Sequence, residues 1–203
     1  MLILLLACTG KDDSSAADDS GTPAGRRFAG KIVDHTSGDP IPDADTCLYP
    51  ENTCEQTSSD GSFTLFSDRN DDDEFELLVA EPGWVTLTVP YTVPKGDAPE
   101  GVFEMWGKDL VPDSATTATL VVTLVDASDD PVAARTVSVE GADDQETDGS
   151  GEALFLGLAD DANATISVDA SCTGAFAWGA LKAGAFRANL EIGKLFSTRL
   201  QCE

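Results

Sequence analysis

Basic residues are scarce in this 203-residue chain. Twelve Lys and Arg stand against 37 Asp and Glu, a formal charge of −25. Nucleic-acid binding by phosphate neutralisation needs the opposite balance, so DNA and RNA are excluded as partners. The same charge is repelled by an anionic bilayer surface, so membrane attachment would need a lipid or an apolar segment. Histidine is rarer still: His35 stands alone. An H-E-x-x-H zinc site cannot be built, and a Ser-His-Asp triad would have to use His35, which falls in a turn-like stretch and reads as solvent-exposed. There is no G-x-S-x-G elbow. No apolar run approaches the ~20 residues of a membrane-spanning helix. These absences leave no acid–base constellation, and the expectation is a protein without catalytic residues and without a cofactor.

What is present favours strands. The apolar fraction of 41% supports folded cores. Val, Thr, Leu and Phe recur in short runs punctuated by 18 Gly and 10 Pro, the signature of many strands and tight turns. The N-terminal stretch is different. Met1 to Ala7 is apolar and runs into Cys8, after which the composition flips to acidic and small residues. Leu5-Leu6-Ala7-Cys8 resembles the bacterial lipobox. The resemblance implies a signal peptide at 1–7, cleavage before Cys8 and diacylglycerol on the Cys8 thiol. Thr9 rather than Asp follows, which implies the outer membrane. No Lys or Arg precedes the apolar stretch, so the usual positive n-region is missing. Residues 8–26 have no apolar periodicity and read as a lipidated, disordered tether.

With Cys8 assigned to a lipid, Cys47, Cys54, Cys172 and Cys202 remain. Four cysteines allow three connectivities. Pairing near neighbours keeps each bridge inside one proposed module and is preferred. The C-x6-C spacing is too loose for a structural zinc site.

From Phe28 the pattern alternates as a strand does, and short strands follow at Ala44–Tyr49, Phe63–Phe66, Phe75–Ala80, Trp84–Val89 and Val102–Lys108. The chain turns polar near Pro112, and a second series begins at Thr119. Boundaries are expected at 27–112 and 116–203. The two series echo one another. Ile32-Val33-Asp34, Asp39-Pro40-Ile41 and Asp60-Gly61-Ser62 in the first match Leu124-Val125-Asp126, Asp130-Pro131-Val132 and Asp148-Gly149-Ser150 in the second. Proline fixes φ in the first turn and glycine supplies φ > 0 in the second.

Gly30-x-Ile32-x-Asp34, Gly38-x-Pro40-Ile41, Ala44 and Asp60-Gly61-x-Phe63 resemble the carboxypeptidase regulatory-like family. This family is a prealbumin-like β-sandwich related to collagen-adhesin B repeats. The resemblance implies about seven antiparallel strands per module and no catalysis. Some collagen-adhesin repeats carry a Lys–Asn isopeptide. Lys31 lies in a first strand here, but no Asn falls in the last strand of that module.

The fold expected is therefore all-β: two tandem antiparallel β-sandwich modules, prealbumin-like or Ig-like, after the tether. Two binding candidates remain. Asp68, Asn70, Asp71, Asp72 and Asp73 form an acidic loop that opens like an EF-hand. Asp73 replaces the required glycine, however, and Val79 holds the twelfth position, leaving only a looser calcium site. Trp84, Trp106 and Trp178 could stack on a sugar, although aromatics in small sandwiches usually fill the core. The expected function is a non-catalytic lipoprotein of the cell envelope. Its modules would act as spacers or recognise a protein or glycan, with calcium- or carbohydrate-dependent adhesion as the alternative.

Overall fold

The computed structural model describes residues 26–69, 73–93, 100–111, 114–176, 179–181 and 186–203. Cys8, the signal and all but the last residue of the tether lie outside them, as do Asn70, Asp71, Asp72 and Trp178.

Among the described residues there are strands and no helix. The first half contributes β1 (Arg26–Asp34), β2 (Asp45–Tyr49), β3 (Thr53–Gln56), β4 (Ser62–Ser67), β5 (Asp73–Ala80), β6 (Thr86–Val93) and β7 (Gly101–Met105). The second contributes β8 (Ala118–Val125), β9 (Thr136–Val139), β10 (Gln145–Glu146), β11 (Glu152–Leu158), β12 (Asp161–Val168), β13 (Cys172–Phe176), β14 (Gly179–Leu181), β15 (Phe186–Leu190) and β16 (Lys194–Cys202).

In the first half, a sheet of order β4-β1-β7 faces the run β6-β5-β2-β3. Phe28 and Ile32 of β1, Leu65 of β4 and Met105 of β7 meet Leu48, Leu77 and Leu87 from the other layer, all buried. Phe28 and Phe75 cross the gap with ring centroids 4.9 Å apart. Alternation causes this directly: side chains of even number point inward along β1, while Lys31 points to solvent. The second half repeats the plan. A run β11-β8-β16 faces a sheet β10-β9-β12-β15. Leu120, Leu124, Phe155, Phe196 and Leu200 pack there against Val137, Ile166 and Leu190. Each of β1 to β7 thus has a counterpart, in order, among β8 to β12, β15 and β16, and the β13–β14 hairpin is an addition to the second copy. The first and last strands of each copy, β1 with β7 and β8 with β16, pair in parallel, and all other pairs within a copy are antiparallel.

The repeat extends to single hydrogen bonds. Ile32 N–H donates to Gly61 O and Ile41 N–H to Ile32 O; Leu124 N–H donates to Gly151 O and Val132 N–H to Leu124 O. Thr57 Oγ1 donates to Ile41 O and accepts from Ala44 N–H, and Thr147 Oγ1 does the same with Val132 O and Arg135 N–H. Both threonines are buried, so their hydroxyls serve backbone groups that water cannot reach. Asp43 and Ala134 share a positive φ, 60° and 57°. The structural match differs from the one suggested by the Asp-Gly pairs: Gly61 corresponds to Gly151, not Gly149. The carboxylate that organises the turn has moved. Asp60 sits beside Gly61 and accepts from Ser58 and Ser62, whereas Asp148 stands at the place of Ser58 and accepts from Ser150 and Glu152.

The two copies are fused. Strand β16 pairs with β8 on one side and, in parallel, with β6 on the other, aligning Leu195 with Leu87 and Phe196 with Thr88. The back sheet of the first copy and the front sheet of the second therefore form one continuous sheet. Strand β8 shows the consequence in its sequence. Ala-Thr-Leu-Val-Val-Thr-Leu-Val is buried on both faces apart from one half-exposed threonine, because Leu120, Val122 and Leu124 face the second core while Val121 joins the first. A strand covered on both sides reads as an unbroken apolar run.

Two disulfides tie strands within the copies. Cys47 pairs with Cys54 across β2 and β3, and Cys172 with Cys202 across β13 and β16, each between residues directly opposite in register. This is the near-neighbour pairing.

Candidate functional site at the junction of the copies

The fusion brings polar residues from distant parts of the chain to one place. His35 follows β1, where its amide donates to Met105 O at 3.0 Å. Its ring stacks on Trp106, centroids 3.7 Å apart and planes 15° from parallel. Its Nδ1 lies 2.6 Å from Glu104 Oε2, and an ionised carboxylate can only accept, so the imidazole N–H donates. Glu104 projects from the outer face of β7. From the second copy, Glu152 begins β11 beside the Asp148 turn, and the ligand atoms of His35, Glu104 and Glu152 all lie within 4.8 Å of one another. Arg199 of β16 pairs with Asp129 at the edge of the same depression. A neighbouring cleft of about 360 Å³ runs between β7 and the β8–β16 floor, lined by Val102, Glu104, Trp106, Val121, Thr123 and Arg199.

His35 is thus no exposed turn residue: about a quarter of its side chain remains accessible. The sequence places it in a turn correctly but cannot show that Trp106 covers one ring face, or that the second copy closes over it. Trp84 and Trp106 are partly buried against the first core, and Trp106 also carries the His35 ring. Asp73 opens β5 rather than belonging to the acidic loop, and Asp68 is exposed. Lys31 reaches Asp60 at 3.3 Å in an exposed ion pair.

The electrostatics divide into two kinds of carboxylate. Burial raises the affinity of Glu152 for its proton, against His35, which lowers it; Glu104 and Asp148 add to the rise. Burial likewise raises Glu76 on β5, opposed by Lys194. Asp60 and Asp148 are shifted the other way. Hydrogen bonds from Ser58, at 2.6 Å, and then Ser62 hold Asp60 well below the usual aspartate range; Ser150 and then the Glu152 amide lower Asp148. The pH dependence follows with a sign for each. A carboxyl raised on folding binds its proton more tightly in the native state, so its contribution falls as pH rises from its ordinary value through the raised one. A carboxyl lowered on folding stabilises above its ordinary value, and that stability is lost as acid protonates it. Thermal stability should therefore rise as pH falls through the raised values of Glu76 and Glu152 toward their ordinary 4.5, and then drop as pH falls below the ordinary aspartate value of 3.8. Glu76→Gln with Glu152→Gln should flatten the upper limb and leave the acid limb in place, as thermal melts across pH would show.

No family model matches the chain, and no curated protein matches it in sequence. Among solved structures, it is similar to a type II cohesin–X-dockerin complex of Acetivibrio cellulolyticus, at 16% identity and a TM-score of 0.35 over 42% of this chain and 60% of that one. The TIE protein of Bacillus anthracis aligns at 14% and 0.31 over 89% of this chain and 34% of that protein. The minor pilin GBS52 of Streptococcus agalactiae aligns at 12% and 0.32 over 87% and 95%. This chain thus spans less than two thirds of the first two. Among the described residues, no helix is long and apolar enough to cross a membrane.

Proposed function

We propose that this protein is a non-catalytic spacer of the bacterial cell envelope, held by a lipid on Cys8 and carrying two carboxypeptidase regulatory-like β-sandwich modules, 27–112 and 116–203, clear of the outer membrane. The observation that carries the structural part is the shared sheet. A chain built as two separate beads would bend at its linker, whereas pairing of β16 with both β6 and β8 couples the copies through backbone hydrogen bonds. Stiffness over two modules is what a spacer requires. The acidic surface supports an extended, soluble display, since like charge resists association. Any protein or glycan partner would be met through the loops of the modules, which rigid strands position.

The anchor is tested in a bacterial host by labelling with radioactive palmitate. The wild-type chain should carry the label and fractionate with the outer membrane, and Cys8→Ser should lose both. A label retained in Cys8→Ser would remove the anchor from this reading.

A further inference from the structure

We propose that His35, Glu104 and Glu152 form a binding site for one divalent transition-metal ion, zinc by ligand chemistry, that bridges the two copies. Three features of the junction support it. First, the donor set is one imidazole nitrogen and two carboxylate oxygens, which suits zinc and related ions and leaves a fourth position for water. Second, the spacing fits. Ligands about 2.0–2.2 Å from zinc stand roughly 3.3 Å from one another in a tetrahedral site. His35 Nδ1 and Glu104 Oε2, now 2.6 Å apart, would open by roughly 0.7 Å to reach that spacing, and all three ligand atoms lie within 4.8 Å. Small rotations of exposed Glu104 and half-buried Glu152 close the set. Third, the site is framed. Trp106 fixes the plane of the imidazole, β7 holds Glu104 beside β1, and β11 holds Glu152 opposite Thr123 of β8.

The cation would take the Nδ1 lone pair of the neutral tautomer that carries its single proton on Nε2, in place of the present Nδ1–Glu104 hydrogen bond. Two carboxylates balance the divalent charge, Asp148 lies close by, and the single cationic side chain lining the depression, Arg199, is engaged with Asp129. Because Glu104 belongs to the first copy and Glu152 to the second, an ion held between them ties the copies together independently of the β16–β6 pairing. This inference goes beyond the spacer reading and does not depend on the lipid anchor.

The test is titration of the full, disulfide-bonded chain with Zn²⁺ alone, followed by calorimetry and by ¹⁵N resonances of the imidazole. With one histidine in the chain, the ring gives one unambiguous pair of signals. One equivalent should bind, and the Nδ1 signal should move in step with saturation. A hundredfold excess over Kd should raise the melting temperature by about 5–10 °C. Glu152→Gln and His35→Gln should each weaken binding about tenfold or more, while Asp68→Asn with Asp71→Asn should leave it unchanged. Imidazole signals that stay fixed at saturation would overturn the proposal even if a variant failed to fold. So would Glu152→Gln binding as well as the wild type, or loss of binding in the acidic-loop variant, which would place the ion on that loop.

Discussion

Leu195→Ala should destabilise the whole protein by about 2–5 kcal/mol and lower its melting temperature by about 10 °C, in a single calorimetric transition. Leu195 belongs by sequence to the second copy, on β16, yet its fully buried side chain packs in the core of the first. Removing it leaves a cavity under β6 as well as a loosened seam. The neighbouring Phe196 points the other way, into the second core. If the copies behaved as independent beads, a change in β16 would lower one transition and leave the other in place. Val102→Ala provides the contrast. Val102 is 66% exposed on the outer face of β7, and its loss should move stability by no more than about 0.5 kcal/mol.

The second large effect is expected at two glycines. Gly61→Ala and Gly151→Ala should each cost about 3 kcal/mol or more, from a left-handed backbone worth about 1–2 kcal/mol together with a steric clash. Both have φ near +77°, and a Cβ on either would fall 2.5 Å from a backbone carbonyl, that of Ile32 or of Leu124. The same carbonyls accept the Ile41 and Val132 amides, so neither can retreat without breaking a bond. Gly38 and Gly83 also have positive φ, but open space surrounds them. Alanine there should cost only the backbone part, about 1–2 kcal/mol. Urea unfolding of the four variants measures the difference. Equal costs at all four positions would show that the two-copy turn imposes no special close approach.

These two effects mark what was legible in the sequence and what was not. The proline and glycine turns announce the duplication, because their conformational demands survive as residue identities. The Asp-Gly pairs suggest an offset between copies two residues short of the true one, since such a pair occurs in both turns while the carboxylate works from different positions, 60 in one and 148 in the other. Strands β3 and β10 leave no signal in the sequence: Thr53 to Gln56 and Gln145-Glu146 are exposed and polar, and only pairing with a neighbour makes them strands. The fusion left one trace, the apolar run of β8 beside the alternating β1, its counterpart. Read alone, that run says only that a strand is buried on both faces. It does not say that the covering layer is another copy of the same sandwich. The junction site was hidden for a related reason. His35, Glu104 and Glu152 come from three segments far apart in the chain, and no local spacing connects them.

The pH behaviour and the proposed metal site both depend on the same closeness. Glu152 is half-buried because the first copy covers it, and it faces His35 and Glu104 for that reason. A chain in which β16 let go of β6 would expose the cluster, relax its carboxyls and scatter the donors.

The most direct test of the account is amide hydrogen exchange at the seam between β6 and β16, followed residue by residue in the wild-type chain. The account predicts that the amides engaged between Leu87–Thr88 and Leu195–Phe196 exchange as slowly as those of Leu77 and Leu124 in the two cores, because the seam opens only when the copies unfold. Fast exchange at the seam with both cores still protected would contradict it, and would make the two sandwiches separate bodies on one chain.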